Sequence, residues 1–237
     1  AMTEYLGFEM LDGEFKVMGM APYGDPNRFD FSRLIHCENG EFKVNTKLVN
    51  TVGFRRYKKN GKGYFFSPEL IEWLGPMREG DEKDEPYIDY AASIQALLEK
   101  CALHLIDFYL GDIIRETGKV AYAGGVALNV KLNQRIIAMP GVKELFVQPA
   151  SSDAGTAIGA ASYASQLAGV PVEKMEHVYL GPSYTTQQCI EACERYTQPV
   201  SWQYLNDVCA DTAKILADGN PVAWFQGRME FGPRALG

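Results

Sequence analysis

The 237-residue sequence is poor in the residues that build common metal and redox sites. It has three histidines, and none of them forms the HxxxH spacing that would place two imidazoles on one face of a helix. None of its five cysteines forms a CxxC pair. The sequence alone therefore predicts no zinc site, and scattered cysteines in odd number are typical of reduced thiols in a cytoplasmic protein.

Long apolar runs and an excess of positive charge are also absent. No apolar run approaches the ~20 residues that cross a bilayer, and no secretory signal is present, so we expect no membrane partner. Lys and Arg number 23 against 30 Asp and Glu, which gives a net charge of −7. Because nucleic acid is drawn to basic surfaces, this balance predicts no nucleic-acid partner, although single arginines can still bind phosphate locally.

The region that organises the chain is Val120–Ala168, which predicts two strand–turn–helix units in succession. Short apolar runs predict the strands, while apolar residues at helical spacing or runs of small residues predict the helices. In chain order the predicted pieces are a strand at Val120–Ala123, a turn at Gly124-Gly125, a helix at Leu128–Ala138, a strand at Leu145–Val147, a loop at Ser151–Asp153 and a helix at Ala154–Ala168. Two such units indicate an α/β fold, in which helices pack on a sheet.

Both turns lie where a strand runs into a helix, which is the usual place for ligands in α/β folds. Gly124 and Gly125 allow the backbone to turn sharply or to approach a ligand closely. A tight turn in a closely packed core is the alternative explanation for these glycines. Asp153 stands where a helix is predicted to begin, so its carboxylate can serve as an N-cap, as an ion ligand, or as both.

Outside this region the longest predicted helix is Tyr90–Glu116, with Gly118 as its stop. Shorter elements are predicted on either side of it. They are a shaped loop at Lys16–Pro26, helices at Thr186–Tyr196 and at Asp207–Asp218 with Asn206 as N-cap, and strands at Val200–Tyr204 and Val222–Phe225.

Two groups of basic residues are candidates for a binding role. Arg228 and Arg234 stand among glycines after the last predicted strand, and two guanidinium groups suit a planar anion such as phosphate or carboxylate. Surface salt bridges to Glu230 are the alternative. The basic cluster Arg55–Lys62 predicts a solvated loop or hairpin, with a substrate-facing role as the alternative.

Four stretches, taken together and in this order, are more specific than composition or residue spacing alone. They are KVMGMAPYGDP (16–26), AGGVALNVKLNQRI (123–136), LFVQPASSDAGTAIGAA (145–161) and WFQGRMEFGPRALG (224–237). With them the chain resembles the O-carbamoyltransferases of nodulation-factor and antibiotic biosynthesis, a family that includes cephamycin and tobramycin carbamoyltransferases. The resemblance spans nearly the whole chain.

The resemblance implies two modules. Residues 1–168 would form the C-terminal part of the first, the second lobe of a fold similar to tRNA threonylcarbamoyl-adenosine synthase in the actin/Hsp70/sugar-kinase superfamily. After a linker at 169–183, residues 184–237 would begin a second, YrdC-like α/β module, which resembles the enzyme that makes carbamoyl-adenylate. We therefore expect a fragment of a longer protein, with the first lobe and the remainder of the second module lying outside it.

The resemblance also implies a chemistry. The family uses carbamoyl phosphate and ATP to form carbamoyl-adenylate. It then moves the carbamoyl group to a hydroxyl of a small-molecule acceptor, such as a sugar or an antibiotic, with help from a divalent metal (iron, manganese or zinc). The histidines that bind this metal would belong to the missing first lobe. We therefore expect the chain by itself to transfer no carbamoyl group and to bind ATP weakly, with a dissociation constant on the order of a millimolar.

Site residues follow by matching the family's motifs position by position. The matches are Gly124, Gly125 and Asn129 for nucleotide binding, Asp153 for the metal, and Arg228 and Arg234 for carbamoyl phosphate. The resemblance assigns no catalytic residue, and it assigns no role to the basic cluster. The alternative function is an actin-like nucleotide-binding or regulatory module without transfer activity.

Overall fold

The computed structural model describes residues 1–50, 57–80, 85–198 and 200–232. Contacts divide the chain into two compact units, Ala1–Asp153 and Ala154–Gly237. The helices of the first unit are α1 (Met2–Tyr5), α2 (Glu14–Met20), α3 (Pro68–Leu74), α4 (Tyr87–Thr117) and α5 (Val130–Ile137). Its strands are β1 (Ile35–Glu38), β2 (Glu41–Val44), β3 (Tyr57–Lys59), β4 (Lys62–Tyr64), β5 (Lys119–Tyr122) and β6 (Glu144–Val147). The second unit contains α6 (Thr156–Leu167), α7 (Thr186–Arg195) and α8 (Val208–Ala217).

The described strands pair two by two. β1 with β2 and β3 with β4 form antiparallel hairpins, whereas β5 and β6 are parallel, with Lys119 opposite Glu144 and Tyr122 opposite Val147. Parallel neighbours need a crossover connection, and the segment that contains α5 provides it. The predicted α/β class is thus confirmed as a mixture of helices and small sheets.

The hydrophobic core of the first unit forms around the N-terminal half of α4. Tyr90 is 3% exposed, and its hydroxyl donates a hydrogen bond to the Leu74 carbonyl at 2.6 Å. Tyr5 packs edge-on against Phe66 and Tyr90, with ring centroids 5.5 and 6.0 Å away. These rings are buried with their polar atoms satisfied, so they stabilise the core without leaving an unpaired hydroxyl.

The long predicted helix is confirmed as α4, which extends three residues before the predicted start at Tyr90. It ends where expected, because Gly118 adopts the left-handed conformation (φ +71°) and donates its N–H to the Ile114 carbonyl. The predicted strands at 120–123 and 145–147 are confirmed as β5 and β6, and the predicted helices after them as α5 and α6. The helices α7 and α8 are confirmed too.

Four predictions of secondary structure are wrong. The expected loop at Lys16–Pro26 is largely helical, as α2 and a 3-10 turn at Ala21–Tyr23, because Pro22 is tolerated in the first turn of a helix and the apolar side of α2 packs on α4. The expected strands at 200–204 and 222–225 are not formed in the described part of the chain, where no neighbouring strand completes their hydrogen bonds. The N-cap of α8 is Asp207 rather than Asn206, since its carboxylate accepts the Ala210 N–H at 2.9 Å.

The division into a first module, a linker and a second module stays a prediction. Residues 169–183 contain no helix or strand, as expected for a linker. No helix in the described ranges is both long enough and apolar enough to cross a membrane.

The turn between β1 and β2 docks on the C-terminal half of α4. Gly40 lies in this turn with φ +76°; its N–H donates to His104 Nε2 (3.0 Å), and Tyr109 Oη donates to its carbonyl (2.9 Å). A Cβ added at Gly40 would lie 2.4 Å from the Phe108 ring. The turn between β3 and β4 offers a matched control, because Gly61 has nearly the same φ (+78°). In the described part of the chain no atom lies within 4 Å of a Cβ built at Gly61.

Gly40→Ala should lower the free energy of unfolding by about 2–4 kcal/mol, because it adds a clash with Phe108 to the strain of a left-handed alanine. Gly61→Ala should cost only about 1–2 kcal/mol, the backbone strain alone. Urea unfolding of both variants measures the difference. Equal losses of unfolding free energy in the two variants would mean that contact between the Gly40 turn and α4 does not restrict the residue at position 40.

Candidate functional site

The parallel pairing of β5 and β6 brings two sequence-predicted loops together. Because the strands run in the same direction, the loops that leave their carboxyl ends emerge side by side. The Gly124 N–H donates to the Ser151 carbonyl at 2.7 Å, and the Gln148 N–H donates to the Tyr122 carbonyl at 3.1 Å. Burial raises the pKa of Tyr122, the last residue of β5, so its phenol stays neutral beside these loops at physiological pH.

The glycine turn is exposed and open. Gly124 has φ +102° and ψ 165°, a conformation that strains any residue with a Cβ. Among the residues that the structure describes, no atom lies within 4 Å of a Cβ built on either Gly124 or Gly125. Close packing in the core is therefore not the reason for these glycines, so that part of the alternative is wrong, whereas the φ of Gly124 confirms a tight turn. The open space beside the backbone fits a ligand that approaches the loop closely.

Asn129 caps the N-terminus of α5. Its Oδ1 accepts the Leu132 N–H at 3.0 Å, which makes it the N-cap of the helix. The same oxygen accepts a hydrogen bond from Gln95 Nε2 at 3.0 Å, and Asn129 Nδ2 donates to Gln95 Oε1 at 2.9 Å. One Nδ2 hydrogen is left, so any contact of Asn129 with a nucleotide uses that single donor. Its assignment to nucleotide binding stays a prediction.

Asp153 is exposed and opens a 3-10 turn (Asp153–Gly155) that leads into α6. The N-cap of α6 is Gly155, and Asp153 stands two residues earlier, at the start of the 3-10 turn that continues into the helix. Among the residues that the structure describes, no group of three or more His, Cys, Asp and Glu side chains is placed to hold a metal ion. A single hard carboxylate suits a divalent metal but does not complete a site, so the metal assignment stays a prediction.

Arg228 lies in the second unit and binds backbone carbonyls. Its Nε donates to the Gly181 carbonyl at 2.9 Å and its Nη2 to the Leu180 carbonyl at 3.0 Å. The guanidinium therefore contacts this segment rather than Glu230, which was the proposed salt-bridge alternative. Arg234 lies outside the described residues. The assignment of both arginines to carbamoyl phosphate stays a prediction.

The basic cluster falls only partly within the described residues, because Arg55 and Arg56 lie outside them. The rest forms the predicted hairpin, β3–β4. Lys59 pairs with Glu79, and both Lys59 and Lys62 line a cavity of about 490 Å³. Because carboxylates line the same cavity, the lysines do not create a field of one sign there.

Comparison with known proteins identifies the family. A model of the carbamoyltransferase N-terminus matches residues 1–162, and a model of the carbamoyltransferase C-terminus matches residues 213–237. The chain belongs to the carbamoyltransferase family. The resemblance that four short stretches indicated is thereby confirmed.

Relatives of this carbamoyltransferase chain are considerably longer than it is. It is 34% identical to nodulation protein NolNO of Sinorhizobium fredii, over 99% of the chain and 32% of that protein. It is 34% identical to nodulation protein NolO of Bradyrhizobium diazoefficiens, over 98% of the chain and 40% of that protein. An uncharacterized protein of Synechocystis is 36% identical over the whole chain and 39% of its own length. The chain thus spans about a third to two-fifths of these relatives.

Sequence reasoning missed Gln95 and Glu99, which connect α4 to the glycine loop of this carbamoyltransferase chain. Gln95 Nε2 donates to Glu99 Oε1 at 2.9 Å as well as to Asn129. The available signal was a pair of polar residues one helical turn apart, close to the apolar face of a long helix. That pattern is more typical of a solvated helix edge, so it did not single them out.

Gly124 and Gly125 should differ in how well they tolerate substitution by alanine. Gly124→Ala should lower the free energy of unfolding by about 1–3 kcal/mol, because alanine is strained at this φ and ψ. Gly125→Ala should change it by less than about 0.5 kcal/mol, because no atom is in the way. Thermal or urea unfolding of the two variants measures both effects. A large loss for Gly125→Ala would show that the turn is packed rather than open.

Proposed function

We propose that the chain is part of an O-carbamoyltransferase that uses carbamoyl phosphate and ATP, through carbamoyl-adenylate, to carbamoylate a hydroxyl of a small-molecule acceptor. The observation that carries the proposal is the meeting of two family stretches at the Gly124–Ser151 hydrogen bond, at the carboxyl ends of parallel strands. Nodulation proteins are among the relatives, and the resemblance to carbamoyltransferases of nodulation-factor and antibiotic biosynthesis implies a small-molecule acceptor. An actin-like second lobe in the first module and a YrdC-like second module belong to the same proposal.

The glycine turn would receive the nucleotide. ATP carries phosphates that need close donors, and the open backbone at Gly124 and Gly125 gives them access without a side chain in the way. Asn129 would add one side-chain donor beside this backbone. The turn is tied to the Ser151 loop, so the two loops would keep a fixed spacing when the nucleotide arrives.

Asp153 and the two arginines would serve the other reactants. The Asp153 carboxylate would contribute one hard oxygen ligand to a divalent metal that completes its coordination elsewhere in the full-length protein. That metal would polarise reacting oxygen atoms as a Lewis acid. Arg228 and Arg234 would neutralise carbamoyl phosphate, and the Arg228 N–H groups that do not bond Leu180 and Gly181 are the donors for that contact.

The proposed function is tested with the full-length protein. Water would first take the phosphoryl group of carbamoyl phosphate, which releases phosphate and leaves carbamate. A carbamate oxygen would then attack the α-phosphorus of ATP and displace pyrophosphate, so release of phosphate and of pyrophosphate should depend on both substrates. Gly125→Ala should reduce this release and the affinity for ATP without lowering the melting temperature, because its methyl group would occupy the space of the nucleotide. ATP binding with no pyrophosphate release under any condition would favour the regulatory alternative.

The role of Asp153 is tested by metal content. In the full-length protein Asp153→Ala should remove most of the bound metal, because loss of a charged metal ligand costs far more than the roughly 1 kcal/mol of a helix cap. Asp153→Asn, which keeps the size of the side chain, should also lose metal because it lacks the charge. Elemental analysis measures the metal, and thermal melting of the metal-free proteins shows whether the fold is intact. Full metal content in both variants would exclude Asp153 as a ligand.

A further inference from the structure

We infer that Gln95, on α4, is a positioning residue that holds the glycine loop in the conformation that receives the nucleotide. The inference rests on the proposed function for the nucleotide and on the structure for the contacts. Gln95 is 7% exposed and lies 34 residues from Asn129 in the sequence. It would act through Asn129 and not by contact with the ligand.

The contact between Gln95 and Asn129 is reciprocal. Each side-chain amide donates to the oxygen of the other, at 3.0 and 2.9 Å. Two hydrogen bonds between planar amides define both the distance and the relative orientation of the groups. Asn129 is at the same time the N-cap of α5, so its amide cannot rotate without losing the Leu132 N–H. The first turn of α5 is therefore attached to α4 at a defined position.

A second attachment joins the same two helices one turn further along. The other Gln95 Nε2 hydrogen is donated to Glu99 Oε1, and Glu99 Oε2 accepts from Arg135 Nε at 2.9 Å. The Glu99 side chain is only 13% exposed, so this ion pair is shielded from solvent on the α4 side. Both N–H groups of Gln95 are thus occupied, which leaves none to bind a ligand.

Within the described residues, the loop ahead of α5 has few other contacts with distant segments. Val126 is 51% exposed, and Gly124 and Gly125 have no neighbour on the side where a Cβ would project. Ala127 is buried, and its carbonyl accepts from Asn133 Nδ2 at 2.8 Å. Within the loop the Ala127 N–H donates to the Gly124 carbonyl at 2.9 Å and the Asn129 N–H donates to the Val126 carbonyl at 3.0 Å, and the Gly124–Ser151 hydrogen bond holds its first end. These bonds shape the loop locally, while the position of its second end depends on where Asn129 is held. A site gains affinity when its groups are held in place before the ligand arrives, so ATP affinity should depend on Gln95.

The experiment measures ATP affinity by calorimetry in the full-length protein. Gln95→Leu removes both hydrogen bonds to Asn129 and should weaken ATP binding about tenfold. Two variants of the same helix serve as controls. Leu97→Ala removes packing from a buried position of α4 and should lower the melting temperature while the dissociation constant stays the same. Ser93→Ala, also buried and with a hydroxyl that has no hydrogen-bond partner, should change neither.

Gln95→Glu should make ATP affinity depend on pH, which a loss of stability alone would not do. At neutral pH its carboxylate has no proton to donate and faces the oxygens of Asn129 and Glu99, with Arg135 beyond them, so ATP binding should be as weak as in Gln95→Leu. When the pH is lowered and the carboxyl is protonated, it regains a donor for Asn129, and affinity should recover relative to the wild-type protein. Gln95→Leu should show no such recovery.

The outcomes separate the inference from the proposed function. If Gln95→Leu and Leu97→Ala lower the melting temperature equally and neither changes ATP affinity, Gln95 is merely structural and the inference is overturned. If the wild-type protein binds no ATP, the proposed function fails. Hydrogen exchange of the Gly124 amide then tests whether Gln95 holds the glycine loop in place. That amide is bonded to Ser151, and its faster exchange in Gln95→Leu but not in Leu97→Ala would support the positioning role, whereas equal exchange would refute it.

Discussion

Burial of α4 is the constraint on which the first unit depends. The N-terminal half of this 31-residue helix supplies the centre of the core through Tyr90, Ala91 and Leu97. Its middle holds Asn129 through Gln95, and its C-terminal half receives the turn at Gly40. A helix that is packed along most of its length acts as a rigid reference, so elements far apart in the sequence take their positions from it.

The stretch KVMGMAPYGDP shows why a family motif need not be catalytic. The Asp25 N–H donates to the buried carboxylate of Asp89 on α4 at 2.7 Å, and Arg28 Nη1 donates to the same carboxylate at 2.7 Å. A Cβ at Gly24 would lie 2.2 Å from the Ile88 carbonyl, so only glycine lets the chain approach α4 this closely. The Asp25 hydrogen bond and the close approach at Gly24 both attach the motif to the helix, and this close approach accounts for the glycine at position 24.

Much of the fold was predictable because its signals are local. The periodic apolar residues of α4, the stop at Gly118, and the strand–turn–helix order around Gly124 all lie within a few residues of what they determine. The wrong strand predictions concern features that depend on residues distant in the sequence. Val200–Tyr204 has the composition of a strand, but a strand also needs a partner, and composition does not report one. The residues of the candidate site were predicted by resemblance, while their hydrogen-bond partners were not.

The sequence by itself determined the long helix, the two strand–turn–helix units, the two loops and the family, because these depend on short runs of neighbouring residues. Only the tertiary structure decided that the loops meet, that Asn129 is held by a buried glutamine, and that Arg228 binds the carbonyls of Leu180 and Gly181. Those contacts join residues 27 to 48 positions apart, from Gly124 and Ser151 to Arg228 and Leu180. Hydrogen bonds over such separations form only when packing has already brought the segments together, and no local pattern encodes that step.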